Sequence, residues 1–125
     1  VCLVGSMRNL ARMEQLSKEL EERGHEVLLP VDVSENRFTD RMQEKAEFMR
    51  RMFDEINSCD TILAVNDEQR LAYRGYIGPN TFLQLGMGFA LGKKLFCLQE
   101  WDERLPYNEE LNAMNINQLD IQVRF

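Results

Sequence analysis

Short apolar runs alternate with segments of helical period along the whole sequence, and this alternation narrows the possible folds more than any other feature. Val1, Cys2, Leu3 and Val4 form an apolar, β-branched run that stops at Gly5 and reads as a buried strand. Leu10, Met13, Leu16 and Leu20 then recur at helical spacing, with Gly24 as the expected C-cap. Residues 25–29 read as a second strand, closed by Pro30. Met42, Ala46, Met49, Phe53 and Ile56 step by four and three, which predicts an amphipathic helix over residues 39–57. Residues 61–65 read as a third strand and residues 94–98 as a fourth. Between them, Asn80 or Thr81 is the expected cap of a helix that runs to Leu91 and is apolar nearly all round. A short helix over 106–114 and a fifth strand over 121–125 complete the pattern. Strands that alternate with helices imply right-handed βαβ units. The reading is one α/β domain over residues 1–125, a three-layer sandwich with a five-stranded, mostly parallel sheet.

A chain of 125 residues is the size of one domain and can bury a core without disulfides or metals. Its formal net charge of −6 counts against a nucleic-acid polymer as partner, since that needs a basic stripe. A small phosphorylated ligand stays possible, because one Arg and a few backbone N–H groups can hold a phosphate. The three cysteines, Cys2, Cys59 and Cys97, are odd in number and widely spaced, a poor disulfide framework. Cys2 and Cys97, in apolar strand-like runs, read as small core residues, and a reducing, cytoplasmic setting fits. No apolar run approaches the roughly 20 residues that span a membrane, so no membrane partner is expected. No His/Cys/Asp cluster has metal-ligand spacing, and no metal or cofactor is expected. The single histidine, His25, sits at a strand entry and reads as structural.

In parallel sheets, ligands bind beyond the carboxyl ends of the strands. The loops leaving those ends are residues 5–9, 66–80 and 99–106. In the first, Gly5 permits close backbone approach, Ser6 offers a hydroxyl, and the following helix start attracts anions. Met7 lies between them, and Arg8 can clamp a phosphate in bidentate fashion. The competing reading makes Ser6 a simple helix cap and Arg8 a solvated surface residue. The spacing is neither a dinucleotide fingerprint nor a phosphate-binding P-loop. In the second loop, glycines precede a helix that carries one polar residue, Gln84, on an otherwise apolar surface. Gln84 is either a hydrogen-bonded core residue or a group facing a pocket. Trp101, Pro106 and Tyr107, after the fourth strand, either wall a base pocket or cover the sheet edge.

Three stretches carry a family resemblance: Gly5-Ser6-Met7-Arg8, the run from Asp60 through Thr61 and Val65 to Asn66, and the run from Tyr76 through Gly78-Pro79-Asn80-Thr81 and Gln84 to Lys94. Together they resemble the nucleoside 2-deoxyribosyltransferase family, including its nucleoside 5′-monophosphate N-glycosidase branch. The resemblance reaches from Val1 to about Asn115, and residues 75–94 are its most specific part. It implies a flavodoxin-like or Rossmann-like sandwich, assembled as a homodimer or higher homo-oligomer. It implies a nucleoside or nucleotide as the small-molecule partner, held by Gly5, Ser6, Met7, Arg8, Asn66, Gly78, Pro79, Asn80 and Thr81. The family's nucleophilic Glu, in a Glu-x-Gly pattern, falls on Gln84.

That departure bears directly on chemistry. In the family mechanism a carboxylate attacks the anomeric carbon, and its charge stabilises a cationic transition state. A neutral amide does neither well. Three explanations stand side by side: a pseudo-enzyme that binds nucleotides, an active-site variant that traps a ligand, or use of another carboxylate, with Asp67, Glu68, Glu100 and Asp102 nearest by loop position. Two functions follow, an N-glycosidic hydrolase or transferase and a catalytically inactive nucleotide-binding or sensing module. Self-association is expected from the helix over 39–57, where Phe48 and Met52 add apolar surface beside the main stripe.

Overall fold

In a computed structural model, which describes residues 1–30, 40–67 and 71–119, the apolar runs become neighbouring parallel strands. β1 (Cys2–Val4), β2 (Thr61–Ala64), β3 (Lys94–Cys97) and β4 (Asn117–Gln118) pair in that order. Leu3 lies opposite Leu63, and Leu63 opposite Phe96. The described residues hold four strands where five were expected. The run at 25–29 is reduced to one parallel bridge, Leu28 to Cys2, supported by Leu3 N–H to Leu28 O at 2.9 Å and Leu28 N–H to Val1 O at 2.8 Å. Leu28 is largely exposed at this edge, so little burial reinforces a longer ladder. β4, two exposed polar residues, has no hydrophobic signature and was not foreseen. The strand expected over 121–125 lies outside the described residues. With the Leu28 segment outside β1, the strand order is that of a flavodoxin-like sheet, and it reverses direction between β1 and β2.

Alternation along the strands sorts the core into two faces. Leu3, Leu63 and Val65 pack with Met13, Leu16 and Leu20 of α1 (Leu10–Glu22). Cys2, Val4, Ile62, Ala64, Leu95 and Cys97 pack on the other face with Ile56 of α2 (Arg41–Ser58), Leu85 of α3 (Pro79–Ala90) and Leu111 of α4 (Asn108–Ala113). All three cysteines are free and buried. Burial raises the Cys97 thiol to about 11, so it is an unreactive packing group at neutral pH.

Two helices differ from their sequence pattern. In α2 the buried edge runs through Met52, 3% exposed, and Ile56, while Met42 is 78% exposed. Met52, which the sequence placed beside the main stripe, is thus a core residue on the side of α2 that faces α3. In α3 the cap is Gly78 and Pro79 is the first helical residue. A proline here has its φ preset and no N–H to leave unsatisfied, which moves Asn80 and Thr81 into the first turn.

Candidate active site

The carboxyl ends of β1 and β2 lie side by side at the reversal of strand order. Val65 N–H donates to Val4 O at 2.8 Å, and Asn9 Nδ2 donates to Val65 O at 3.3 Å. A Cβ on Gly5 would sit 3.0 Å from Val65 O, so the first loop presses directly on the end of β2. Ser6 caps the 3-10 turn Met7–Asn9, accepting from Arg8 N–H at 3.3 Å. Ser6 is thus a cap, and its O–H proton is still available to a ligand. Arg8 and Met7 are exposed, and among the described residues no carboxylate pairs with Arg8.

Asn66 holds this edge together. It is 1% exposed. Its Nδ2 donates to Gly75 O at 3.1 Å and to Gln99 O at 2.7 Å, and its Oδ1 accepts from Leu98 N–H at 3.0 Å and Gln99 N–H at 3.1 Å. A side-chain amide has two donor and two acceptor positions, and all four are used. Asn66 therefore fixes the loops after β2 and β3 to one another, and nothing remains on it for a ligand. Gly75 completes this joint with φ at +58°, and a Cβ there would meet Glu100 O at 2.2 Å. Gly75→Ala is expected to cost about 3 kcal/mol, from the left-handed backbone and the overlap combined. Chemical denaturation measures it; a loss near zero would mean that the joint is soft.

Beyond Gly75 the chain enters α3. Tyr107 O–H donates a short hydrogen bond to Ile77 O, and its ring stacks on Phe82 with centroids 4.6 Å apart. Trp101 Nε1 donates to Asn108 Oδ1 at 2.8 Å. Tyr107 thus braces α4 against the start of α3, and Trp101 ties the loop after β3 to α4. Asn80 Oδ1 accepts from Lys45 Nζ at 3.0 Å, tying α3 to α2, and Thr81 is buried. Gln84 lies in the second turn of α3, 6% exposed, and no hydrogen bond to its amide is made among the described residues. It lines a cavity of about 10 Å³ between α2 and α3 with Pro30, Phe48, Arg51, Met52 and Glu55.

A model of the family described as nucleoside 2-deoxyribosyltransferase matches residues 2–119. The chain belongs to the nucleoside 2-deoxyribosyltransferase family. Solved structures similar in fold include the following two. The CMP N-glycosidase BcmB of Clostridium botulinum shares 22% identity at a TM-score of 0.56, over 95% of this chain and 87% of that one. A 2-deoxyribosyltransferase from Bacillus psychrosaccharolyticus shares 15% identity at a TM-score of 0.59, over 98% of this chain and 88% of that one. No protein with a curated description matches the sequence.

Within this nucleoside 2-deoxyribosyltransferase frame, two of the four carboxylates nearest by loop position are paired with arginines. Asp67 pairs with Arg12 at 3.0 Å. Asp102 is clamped by Arg104, with contacts of 3.0 and 2.7 Å, and this pairing holds its carboxyl far below the ordinary range. Glu100 borders a separate cavity of about 300 Å³ with Cys97, Trp101 and Asn112. Glu68 lies outside the described residues. A wider cavity of about 790 Å³, lined by Val1, His25, Asp60, Thr61 and Lys94, opens at the amino ends of the strands, away from the family's ligand loops. The carboxylate that shares a cavity with Gln84 is Glu55, which sequence reading passed over. On an amphipathic helix an acidic residue beside the apolar edge is ordinary, and only the docking of α2 on α3 singles it out. Among the described residues no group of three or more His, Cys, Asp or Glu side chains could hold a metal, and no helix is long and apolar enough to cross a membrane.

Proposed function

We propose that the protein cleaves the N-glycosidic bond of a nucleoside 5′-monophosphate, releasing the free base. The observation that carries this reading is Arg8. It is an exposed guanidinium without a carboxylate partner among the described residues, on the loop next to the β1–β2 reversal, in a family that handles nucleosides. A phosphate is the natural bidentate complement of such a group. The fold likeness to a CMP N-glycosidase supports the choice of monophosphate over nucleoside. Incubation with the common ribo- and deoxyribonucleoside 5′-monophosphates, followed by chromatography for free base, tests it. No base from any of them, with the fold shown intact by circular dichroism, overturns it.

The second reading is a binding or sensing module, favoured by the neutral Gln84 at the nucleophile position. A ligand that binds only the folded state raises the melting temperature. Stabilisation by a nucleotide that is recovered unchanged supports the module.

Self-association belongs to the same proposal. Met42 and Phe53 on α2 and Leu83 and Phe89 on α3 are large apolar side chains left exposed. Sedimentation at micromolar concentration is expected to show a dimer or larger species, and a pure monomer counts against it.

A further inference from the structure

Gln84 and Glu55 meet in the small cavity between α2 and α3, and neither side chain has a hydrogen-bond or ion-pair partner among the described residues. A volume of about 10 Å³ is the room needed by one water. Among the residues lining it, Gln84 brings an amide, which can both donate and accept, and Glu55 brings a carboxylate. We propose that Glu55 is the working carboxylate of this site, acting as general base on a single water held between it and the Gln84 amide. This rests on the N-glycosidase reading and replaces the family's two-step displacement by one step. The water oxygen bonds to C1′ of the sugar as the C1′–N bond breaks, and the electron pair of that bond leaves on the base. The water's proton passes to Glu55, which returns it to solvent, and the departing base nitrogen takes a proton from solvent. The products are free base and a sugar phosphate with its anomeric configuration inverted. No glycosyl-enzyme forms, so no second base can be exchanged in.

Two carboxylates across so small a cavity cannot both be ionised, whereas a carboxylate beside an amide can. Burial already lifts the Glu55 carboxyl above its ordinary range, which suits a general base better than a free surface glutamate would. The groups facing it are few. Arg51 lies one turn before it on α2 and also contacts Glu47, Cys59 follows α2, and Cys2 comes from β1; α3 brings no charge. Burial also raises the Cys2 thiol, so it is neutral at working pH.

The test uses the full chain and the same panel of nucleoside 5′-monophosphates. Wild-type protein is expected to release base, to give no exchange with an added labelled free base, and to show no covalent sugar adduct by mass spectrometry. Glu55→Gln is expected to lower kcat about a hundredfold, the low end for general-base catalysis, with KM little changed. It should also abolish the acid limb of the wild-type pH–rate profile, which a packing role would leave in place. Base exchange or an adduct in the wild type overturns the proposal without any variant, so a poorly folding Glu55→Gln does not shelter it. Base release with Glu55→Gln as fast as wild type overturns it while leaving the N-glycosidase reading intact. No base release by the wild type overturns both.

Discussion

Gln84→Glu is expected to raise base release from a nucleoside 5′-monophosphate by about a hundredfold, equivalent to about 2.7 kcal/mol of barrier. The replacement is nearly isosteric, so the packing of α3 changes little. It puts a carboxyl where the family carries its nucleophile. The pair with Glu55 holds one charge between them, and with that charge on position 84 catalysis passes from the water route to the nucleophilic one, where the charge complements the cationic transition state more than the neutral sugar. The gain therefore belongs in kcat. A second signature should come with it: with a nucleophile present, a glycosyl-enzyme can form, and labelled free base should now exchange into the nucleotide. The new carboxyl also carries a cost, because position 84 is 6% exposed and shares its cavity with Glu55. Desolvation and the like charge both raise the pair's titration above the ordinary carboxylate range. A carboxyl with a raised folded pKa binds more protons folded than unfolded, so stability falls as pH climbs from the unfolded pKa through the folded one. The variant should thus melt closer to wild type near pH 4 than near pH 8. Initial rates and melting curves across pH measure both effects. A folded Glu variant that is stabilised by the nucleotide and still no faster than wild type would mean that the pocket lacks more than its nucleophile.

What the sequence revealed, and what it hid, follows from where each signal resides. β1 and β2 are buried on both faces and β3 is apolar after Lys94, the near-continuous pattern of inner parallel strands. The Leu28 edge and β4 carry no such pattern. The first is half-exposed and the second is polar, so their pairing is set by backbone contacts with Cys2 and Phe96, which lie far away in sequence. The helical period of α2 was legible, but not which of its apolar residues would be buried: Ile56 is, with Met52 from beside the stripe, while Met42 and Phe53 stay exposed. At the site, the loop around Ser6 and Arg8 and the position of Gln84 were legible because glycines and a lone polar residue break the local pattern. Glu55 was not, since one more acid on a charged helix breaks no pattern at all. Asn66 was picked out by family likeness as a ligand contact, and its four hydrogen bonds to the loops after β2 and β3, set by tertiary contacts, had no signal in the sequence.

Asn66→Ala is expected to be the most damaging single truncation at this edge, lowering stability by about 4 kcal/mol. The deletion removes four hydrogen bonds, but the four backbone groups do not suffer equally. Leu98 N–H keeps a bond to Ala64 O at 3.2 Å and Gln99 N–H keeps its weak interaction with the Cys97 sulfur, whereas no other partner is seen among the described residues for Gly75 O or Gln99 O. An orphaned buried group costs about 1–3 kcal/mol, and water entering the space left by the side chain recovers part of that. Against a typical domain stability of about 5–15 kcal/mol, the loss is severe without unfolding the protein outright. For a chain of this size the melting temperature should fall by roughly 15 °C. Asn66→Asp separates hydrogen-bond geometry from size. It keeps the acceptor for Leu98 and Gln99 N–H but turns an oxygen toward Gly75 O and Gln99 O, so it should lose nearly as much. The consequence for function is indirect, since the loops after β2 and β3 are positioned through this one amide. In Asn66→Ala, nucleotide affinity should weaken at temperatures where circular dichroism still reports a folded chain. Thermal melts and nucleotide titrations of the two variants check the argument. If Asn66→Ala melts within a few degrees of wild type, water replaces the amide at little cost; if affinity is also unchanged, the loops hold their places without it.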